Sequence, residues 1–386
     1  MTTQDLTVDL ETSDLIRDSG AETFTLCFQC AVCSASCPWN RVSHFDPRRM
    51  LHQARLGVAD LEDEAWWMCA TCRSCVARCP MQVDVIAIMR AVRRLVVGYG
   101  AGRFPDSIRV SLKNVAGVGN PAGESPDKRE DWTKKAKKVE SFSTDAEVLY
   151  FSCCVPAYDA KARRMAVSLS NILEAVGIKF GILGNREKCC GESVRKCGNE
   201  ELFQTLAQSN IDAFKEAGAK TVLVSSPHCY HTFKNEYPEL GAEFQVVHYT
   251  QYLAQLIRDG KLKLTKPIDK KVTYHDPCYL GRHNSVYDEP RDVLKSIPGL
   301  ELVELPNCRE DSICCGAGGG RVWAETKKGE RFSDLRINQA IDVGAEILTV
   351  ACPYCMLMFD DSVLTMGKEE VLQIKDISEL VLEAME

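Results

Sequence analysis

The chain has 386 residues, 45% hydrophobic and 26% charged, enough for two to four domains with buried cores. A net charge of −7 excludes a phosphate-binding surface for nucleic acid, which needs concentrated Lys and Arg. Twenty cysteines without a secretion signal point to metal ligation or redox chemistry in a reducing cytoplasm, not to structural disulfides.

Residues 1–25 carry scattered acids and no apolar core segment, so they read as neither signal nor transit peptide. No run reaches the roughly 18 apolar residues of a membrane span, so the expected location is cytoplasmic, with any membrane link made through a partner. The first module, residues 1–100, holds Cys27-x2-Cys30-x2-Cys33-x3-Cys37-Pro38 and Cys69-x2-Cys72-x2-Cys75-x3-Cys79-Pro80. Each is the bacterial ferredoxin run for a [4Fe–4S] cluster, in which the fourth cysteine serves the other cluster. Cys27, Cys30 and Cys33 therefore pair with Cys79, and Cys69, Cys72 and Cys75 with Cys37. Zinc is the rival for any CxxC, and a zinc-bound scaffold would be colourless, but zinc sites do not use this run twice. The 31 residues between the motifs exceed a compact ferredoxin, and Val85, Ile88, Met89, Val92 and Leu95 have helical spacing, so the module is expected to be helical. Trp66 and Trp67 read as core, with cluster shielding as the alternative.

Residues 101–145 read as a looser connector. Its Gly117-Val118-Gly119 echoes a phosphate loop but follows no strand. Lys134-Lys135-Ala136-Lys137-Lys138 reads as a solvated face. Beyond it, short apolar strands are expected at 148–152, 178–183, 221–225, 244–248, 272–275, 302–305 and 347–351. Helices are expected between them at 161–176, 200–217, 333–343 and 376–384. Such alternation predicts two α/β lobes with largely parallel sheets, at 146–268 and 269–386. The fold class is therefore α+β multidomain, a helical two-cluster ferredoxin-like domain followed by two pseudo-symmetric lobes facing each other across a cleft.

The lobes repeat one cysteine pattern. Cys154, Cys189-Cys190-Gly191 and Ser226-Pro227-His228-Cys229 recur as Cys278, Cys314-Cys315-Gly316 and Cys352-Pro353-Tyr354-Cys355, at offsets of 124 to 126 residues. Several of these cysteines fall just after strands, where α/β folds gather functional loops. Five thiolates from one lobe exceed what a cubane cluster requires, so the second repeat suggests an unusual cluster with an accessible iron. Gly316 and Gly318-Gly319-Gly320 are expected to let backbone approach sulfur and to offer it amide donors. Ser226, standing where the other copy has Cys352, marks the first repeat as altered, because a hydroxyl is far harder to deprotonate than a thiol.

These residues resemble a known family. Cys27-Phe28-Gln29-Cys30 and Trp67-Met68-Cys69-Ala70-Thr71-Cys72 are similar to the C subunit of heterodisulfide reductase. His275-Asp276-Pro277-Cys278, Cys314-Cys315-Gly316 and Cys352-Pro353-Tyr354-Cys355 are similar to its B subunit. The fused order, over nearly the whole chain, resembles the D-type subunit and the K subunit of the membrane complex in dissimilatory sulfur metabolism. In that family the pattern C-x(31–39)-CC-x(35–36)-C-x-x-C binds a noncubane [4Fe–4S] cluster that splits disulfides in one-electron steps. The second repeat fits, with 35 residues between Cys278 and Cys314 and 36 between Cys315 and Cys352. The resemblance thus implies Cys278, Cys314, Cys315, Cys352 and Cys355 as its ligands. For the first repeat two readings stay open: a further cluster on Cys154, Cys189, Cys190 and Cys229, or a lobe that supplies only fold and cleft wall.

The implied function is an oxidoreductase that relays electrons through two [4Fe–4S] clusters to the noncubane one, which reduces or forms a disulfide or heterodisulfide. The substrate would be a thiol/disulfide cofactor or a small disulfide protein, and the donor a flavoprotein, a hydrogenase or a membrane cytochrome b. The alternative is an electron-transfer subunit with no disulfide of its own, linking a flavoprotein, a quinone or cytochrome b, or an acyl-CoA reductase complex. His275 and His283, with His228 and His231, lie beside the cysteine motifs and are candidate proton carriers or orienting groups. Arg282 and Arg321 are candidates to neutralise an anionic substrate or a reduced cluster. Cys153, Cys197 and Cys308 fall outside the pattern and read as spare buried thiols.

Overall fold

A computed structural model describes residues 7–385. The first six residues of the 1–25 stretch, and Glu386, lie outside the described residues. The chain divides into two compact units.

One unit comprises Met1–Val110 together with Ser193–Leu202 and Gly316–Phe332. It is helical. Helix Val85–Gly98 is capped by Asp84, whose carboxylate accepts from the Ala87 amide at 2.9 Å, and it buries Val85, Ile88, Met89, Val92 and Leu95. The linker between the ferredoxin runs supplies helix Pro47–Arg55, with Asp46 as N-cap and Pro47 in its first turn. Trp66 and Trp67 are both buried, and the Trp66 indole donates to the Asp60 carbonyl at 2.8 Å.

The other unit comprises Ser111–Glu192, Phe203–Cys315 and Ser333–Glu386, and holds both lobes. The first lobe has strands β1 (Val148–Phe151), β2 (Phe180–Gly181), β3 (Thr221–Val224) and β4 (Gln245–His248) in the order β2-β1-β3-β4. The second has β5 (Lys271–Tyr274), β6 (Glu301–Val303), β7 (Ile347–Val350) and β8 (Gln373–Asp376) in the order β6-β5-β7-β8. Every pair in both sheets is parallel, so the lobes share one topology. Central strands β1 and β7 are buried along their whole length, as helix-covered parallel strands must be. In both sheets the strand order reverses between the first strand and its third, which creates the crevice where α/β folds bind ligands.

The expected strands are present within a residue or two, except that 178–183 shrinks to two residues. Strand β8 was not anticipated: its alternating, half-buried Gln-Ile-Lys-Asp carries one large apolar side chain. The connector is more ordered than expected, with a helix over Asp106–Val118 and a 3-10 segment over Pro126–Lys135. Lys134, Lys135, Lys137 and Lys138 are exposed.

The lobes are tied together through Tyr249, whose hydroxyl donates to Asp376 Oδ2 at 2.7 Å. Arg164 adds contacts to Asp360 at 3.1 Å and Glu379 at 3.3 Å. Among the described residues no helix is long and apolar enough to cross a membrane.

Candidate redox centres

In the helical unit the two ferredoxin runs cross over. One cavity is lined by Cys27, Cys30 and Cys33 together with Cys79. A second is lined by Cys69, Cys72 and Cys75 together with Cys37. In each run a non-glycine residue with positive φ, Ala31 in one and Arg73 in the other, starts the short helix that carries the third cysteine. Burial pushes the Cys37 and Cys75 thiols up, as expected for thiols whose charge a bound cation would have to stabilise. Four sulfurs around each apolar-walled cavity fit a [4Fe–4S] group.

Arg93, not singled out by the sequence, organises the second of these sites. It is fully buried, and it donates to the carbonyls of Cys69 at 2.9 Å, Trp66 at 2.8 Å, Lys196 at 3.0 Å and Gly319 at 3.1 Å. Arg321 is also buried and donates to the Trp67 carbonyl at 3.2 Å. The glycine run does something other than expected. A Cβ on Gly318 would stand 2.3 Å from the Ala70 carbonyl oxygen, and one on Gly319 2.4 Å from that of Cys69. These glycines therefore seat their loop on the second ferredoxin run rather than against the thiols of the second lobe. Cys197 is buried there, 3.8 Å from the Gly319 carbonyl.

In the second lobe the three cysteine segments follow β5, the loop after β6, and β7, and they converge. Cys278, Cys314, Cys315, Cys352 and Cys355 are all buried. Cys278 and Cys314 sulfurs are 4.0 Å apart, and the Cys355 thiol is 3.4 Å from Cys315. His275 joins them: among the described residues, ligand atoms of His275, Cys315 and Cys355 lie within 4.8 Å of one another. Its Nδ1 accepts from Arg336 Nε at 3.3 Å, which leaves an Nε2–H for the Cys315 sulfur. Donors from Cys314, Cys355 and His275 outweigh burial and hold Cys315 well below the usual thiol range. Burial works against the Cys352 thiolate, yet donors from Cys355 and His228 bring its pKa down to about 6.

That donor belongs to the first lobe. His228 Nδ1 lies 3.1 Å from Glu192 Oε2, so the imidazole stands between a carboxylate and Cys352. Burial opposes its charge, but Glu192 and Cys352 raise its pKa to about 10. Glu192 carried no sequence signal beyond standing next to Cys190-Gly191. His228 stacks on Tyr279 with centroids 4.0 Å apart, and Tyr279 stacks on His283 at 4.1 Å. His231 meets His283 edge-on at 4.9 Å. The four histidines thus separate into roles: His275 and His228 reach the thiols, while His283 and His231 build the interlobe face beside Cys278. Arg282 is buried and braces the loop before Cys314, donating to the Ser312 carbonyl at 2.6 Å.

In the first lobe Cys154, Cys189, Cys190 and Cys229 are also buried together, with Cys229 and Cys190 sulfurs 3.4 Å apart. Donors from Cys189 and Cys229 bring Cys190 down to about 7, matching the direction at Cys315. Arg129 enters from the connector, 3.5 Å from the Cys154 sulfur and 2.9 Å from Glu187. Cys308 is only part-buried and takes no place in either set.

The Cysteine-rich domain family matches residues 148–234 and again 272–360, and the 4Fe-4S dicluster domain matches residues 23–83. The chain is 36% identical to the "Probable iron-sulfur-binding oxidoreductase FadF" of Bacillus subtilis, over 84% of this chain and 47% of that one. It is 34% identical to the "EtfAB:quinone oxidoreductase" of Syntrophomonas wolfei, over 93% of this chain and 58% of that one. It spans only about half the length of these two curated relatives. With the D subunit of the dihydromethanophenazine:CoB–CoM heterodisulfide reductase of Methanosarcina barkeri it shares 36% identity, over 82% of this chain and 77% of that one. A dicluster domain joined to two cysteine-rich lobes, at this identity and coverage, places the chain in the iron–sulfur oxidoreductase family that includes the D subunit of heterodisulfide reductase.

Proposed function

We propose that the chain carries electrons from a redox partner through its dicluster domain to the cysteine set of the second lobe, where a disulfide or heterodisulfide is reduced or formed. A noncubane [4Fe–4S] cluster held by Cys278, Cys314, Cys315, Cys352 and Cys355 would supply one-electron steps and an iron open to a substrate sulfur. The observation that carries this reading is the convergence of five buried thiols, with hydrogen-bond donors reaching them from outside the set. His275 orients the Cys315 sulfur, and His228, fixed by Glu192, does the same for Cys352. The stack of Tyr279 and His283 lies beside Cys278, whose carbonyl accepts from the His283 amide. Cleavage of a disulfide to two thiols takes two electrons and two protons, and a dicluster domain delivers electrons singly. Reduced partners such as a flavoprotein or a membrane-anchored redox protein suit that supply, given that one relative is named "Probable membrane-anchored ferredoxin".

A second reading, an electron-transfer subunit without a disulfide substrate, draws support from Ser226 and from the likeness to the EtfAB:quinone oxidoreductase. EPR on the anaerobically reconstituted chain separates the two. Oxidation in the presence of a simple alkyl thiol is expected to produce a paramagnetic signal absent without thiol and absent in Cys352→Ser. If thiol changes nothing in the spectrum of the intact protein, the disulfide reading fails and the electron-transfer reading stands.

A further inference from the structure

We propose that Cys153 takes the ligand place left by Ser226, so that the first lobe also holds an iron–sulfur cluster, on Cys153, Cys154, Cys189, Cys190 and Cys229. Three observations converge on this. The first is backbone strain. Cys153 has φ 74° and ψ 157°, an extended positive-φ conformation that is essentially reserved for glycine. A β-carbon is tolerated there only when the surroundings fix it, and such strain collects at functional sites.

The second is where that strained residue points. Cys153 is buried, and its thiol is a hydrogen-bonding neighbour of Cys229, the cysteine whose CxxC partner is missing. Ser226 has lost the thiol but kept the position: it is fully buried, and its hydroxyl has no hydrogen-bond partner among the described residues. With Cys153 included, each lobe presents five buried thiols.

The third is charge. The connector lodges the Arg129 guanidinium in the same place, almost completely buried, with Nη1 at 3.5 Å from Cys154. Its Nη2 is buried with no hydrogen-bond partner among the described residues. Glu187 already pairs with this cation and Tyr158 lies beside it, and the Nη2 left without a partner calls for a further acceptor. An assembly of thiolates and sulfides around iron is such an acceptor.

The test counts iron and acid-labile sulfide in the full-length chain after anaerobic reconstitution, with Mössbauer spectra to separate cluster types. Intact protein is expected to hold about sixteen irons, four for each of four clusters. Cys153→Gly, which suits the backbone it replaces, is expected to hold about twelve, with the first-lobe spectrum lost. Cys308→Ala, outside both sets, should retain the full complement. Adding Ser226→Cys to Cys153→Gly recreates the second-lobe pattern and should restore the missing irons.

Intact protein with only about twelve irons, or Cys153→Gly with undiminished iron, overturns the proposal. If Cys153→Gly assembles poorly, the rescue decides: iron regained through a cysteine at 226 supports the ligand place, and iron not regained overturns it. Neither failure touches the second lobe, whose thiol-dependent signal is read separately.

Discussion

Arg93 makes four hydrogen bonds, all to backbone carbonyls drawn from three separate stretches of chain. Arg93→Leu would leave those carbonyls short of a donor in a dry interior, a loss on the order of 3 kcal/mol. Arg93→Lys should recover little, because one ammonium cannot span the spread of a guanidinium fork. Denaturant melts of reconstituted protein would measure both; a Lys variant as stable as wild type would refute the geometric argument. The cysteine sets that the structure gathers could be read from spacing alone, since cluster chemistry dictates it. Arg93, Arg129 and Glu192 could not, because each acquires meaning only from partners far along the chain: Glu192 finds His228, and Arg129 finds Glu187.

At the scale of elements, the loop after the second Cys-Cys-Gly depends on the absence of side chains at 318 and 319. Gly319→Ala would press a methyl group against the Cys69 carbonyl, and backbone offers no flexible end to yield. The expected result is loss of the cluster proposed on Cys37, Cys69, Cys72 and Cys75, a fall of about four irons, with the other ferredoxin-type signal retained. EPR of the dithionite-reduced variant reads this directly. Helix Val85–Gly98 was legible because its apolar spacing is strong, and so were the central strands. Edge strand β2 was legible only in place, since it shrinks to two residues, and β8 was not, because it alternates over four.

At the scale of the whole molecule, the two lobes hold each other through a buried acid. Burial raises the Asp376 pKa to about 7, against the donors of Ser378 and Tyr249. An unfolded aspartate gives up its proton near about 3.9, so between about pH 4 and about pH 7 the folded chain binds one proton more. Stability therefore falls as pH rises through that window, by at most about 1.4 kcal/mol per pH unit. Asp376→Asn should flatten the slope, seen as a Tm that differs less between about pH 5 and about pH 8 than the wild type's. Tyr249→Phe, which removes one donor to the carboxylate, should cost about 1–3 kcal/mol at neutral pH. The duplication of the lobes was evident from the cysteine offsets. The acid that joins them was not, because Tyr249 and Asp376 are 127 residues apart.

The helical unit is assembled from Met1–Val110, Ser193–Leu202 and Gly316–Phe332. The segment with both ferredoxin-type runs is thus made before the two segments that complete its unit. Arg93 has no acceptor at Gly319 until most of the chain has emerged, and the loop that closes over Cys69 and Ala70 comes last. Iron delivered early would meet an open, oxidisable nest of thiols; iron delivered late would be sealed in as the final loop settles. A gene truncated after residue 110 is expected to yield a product that loses its iron in air far faster than the intact chain.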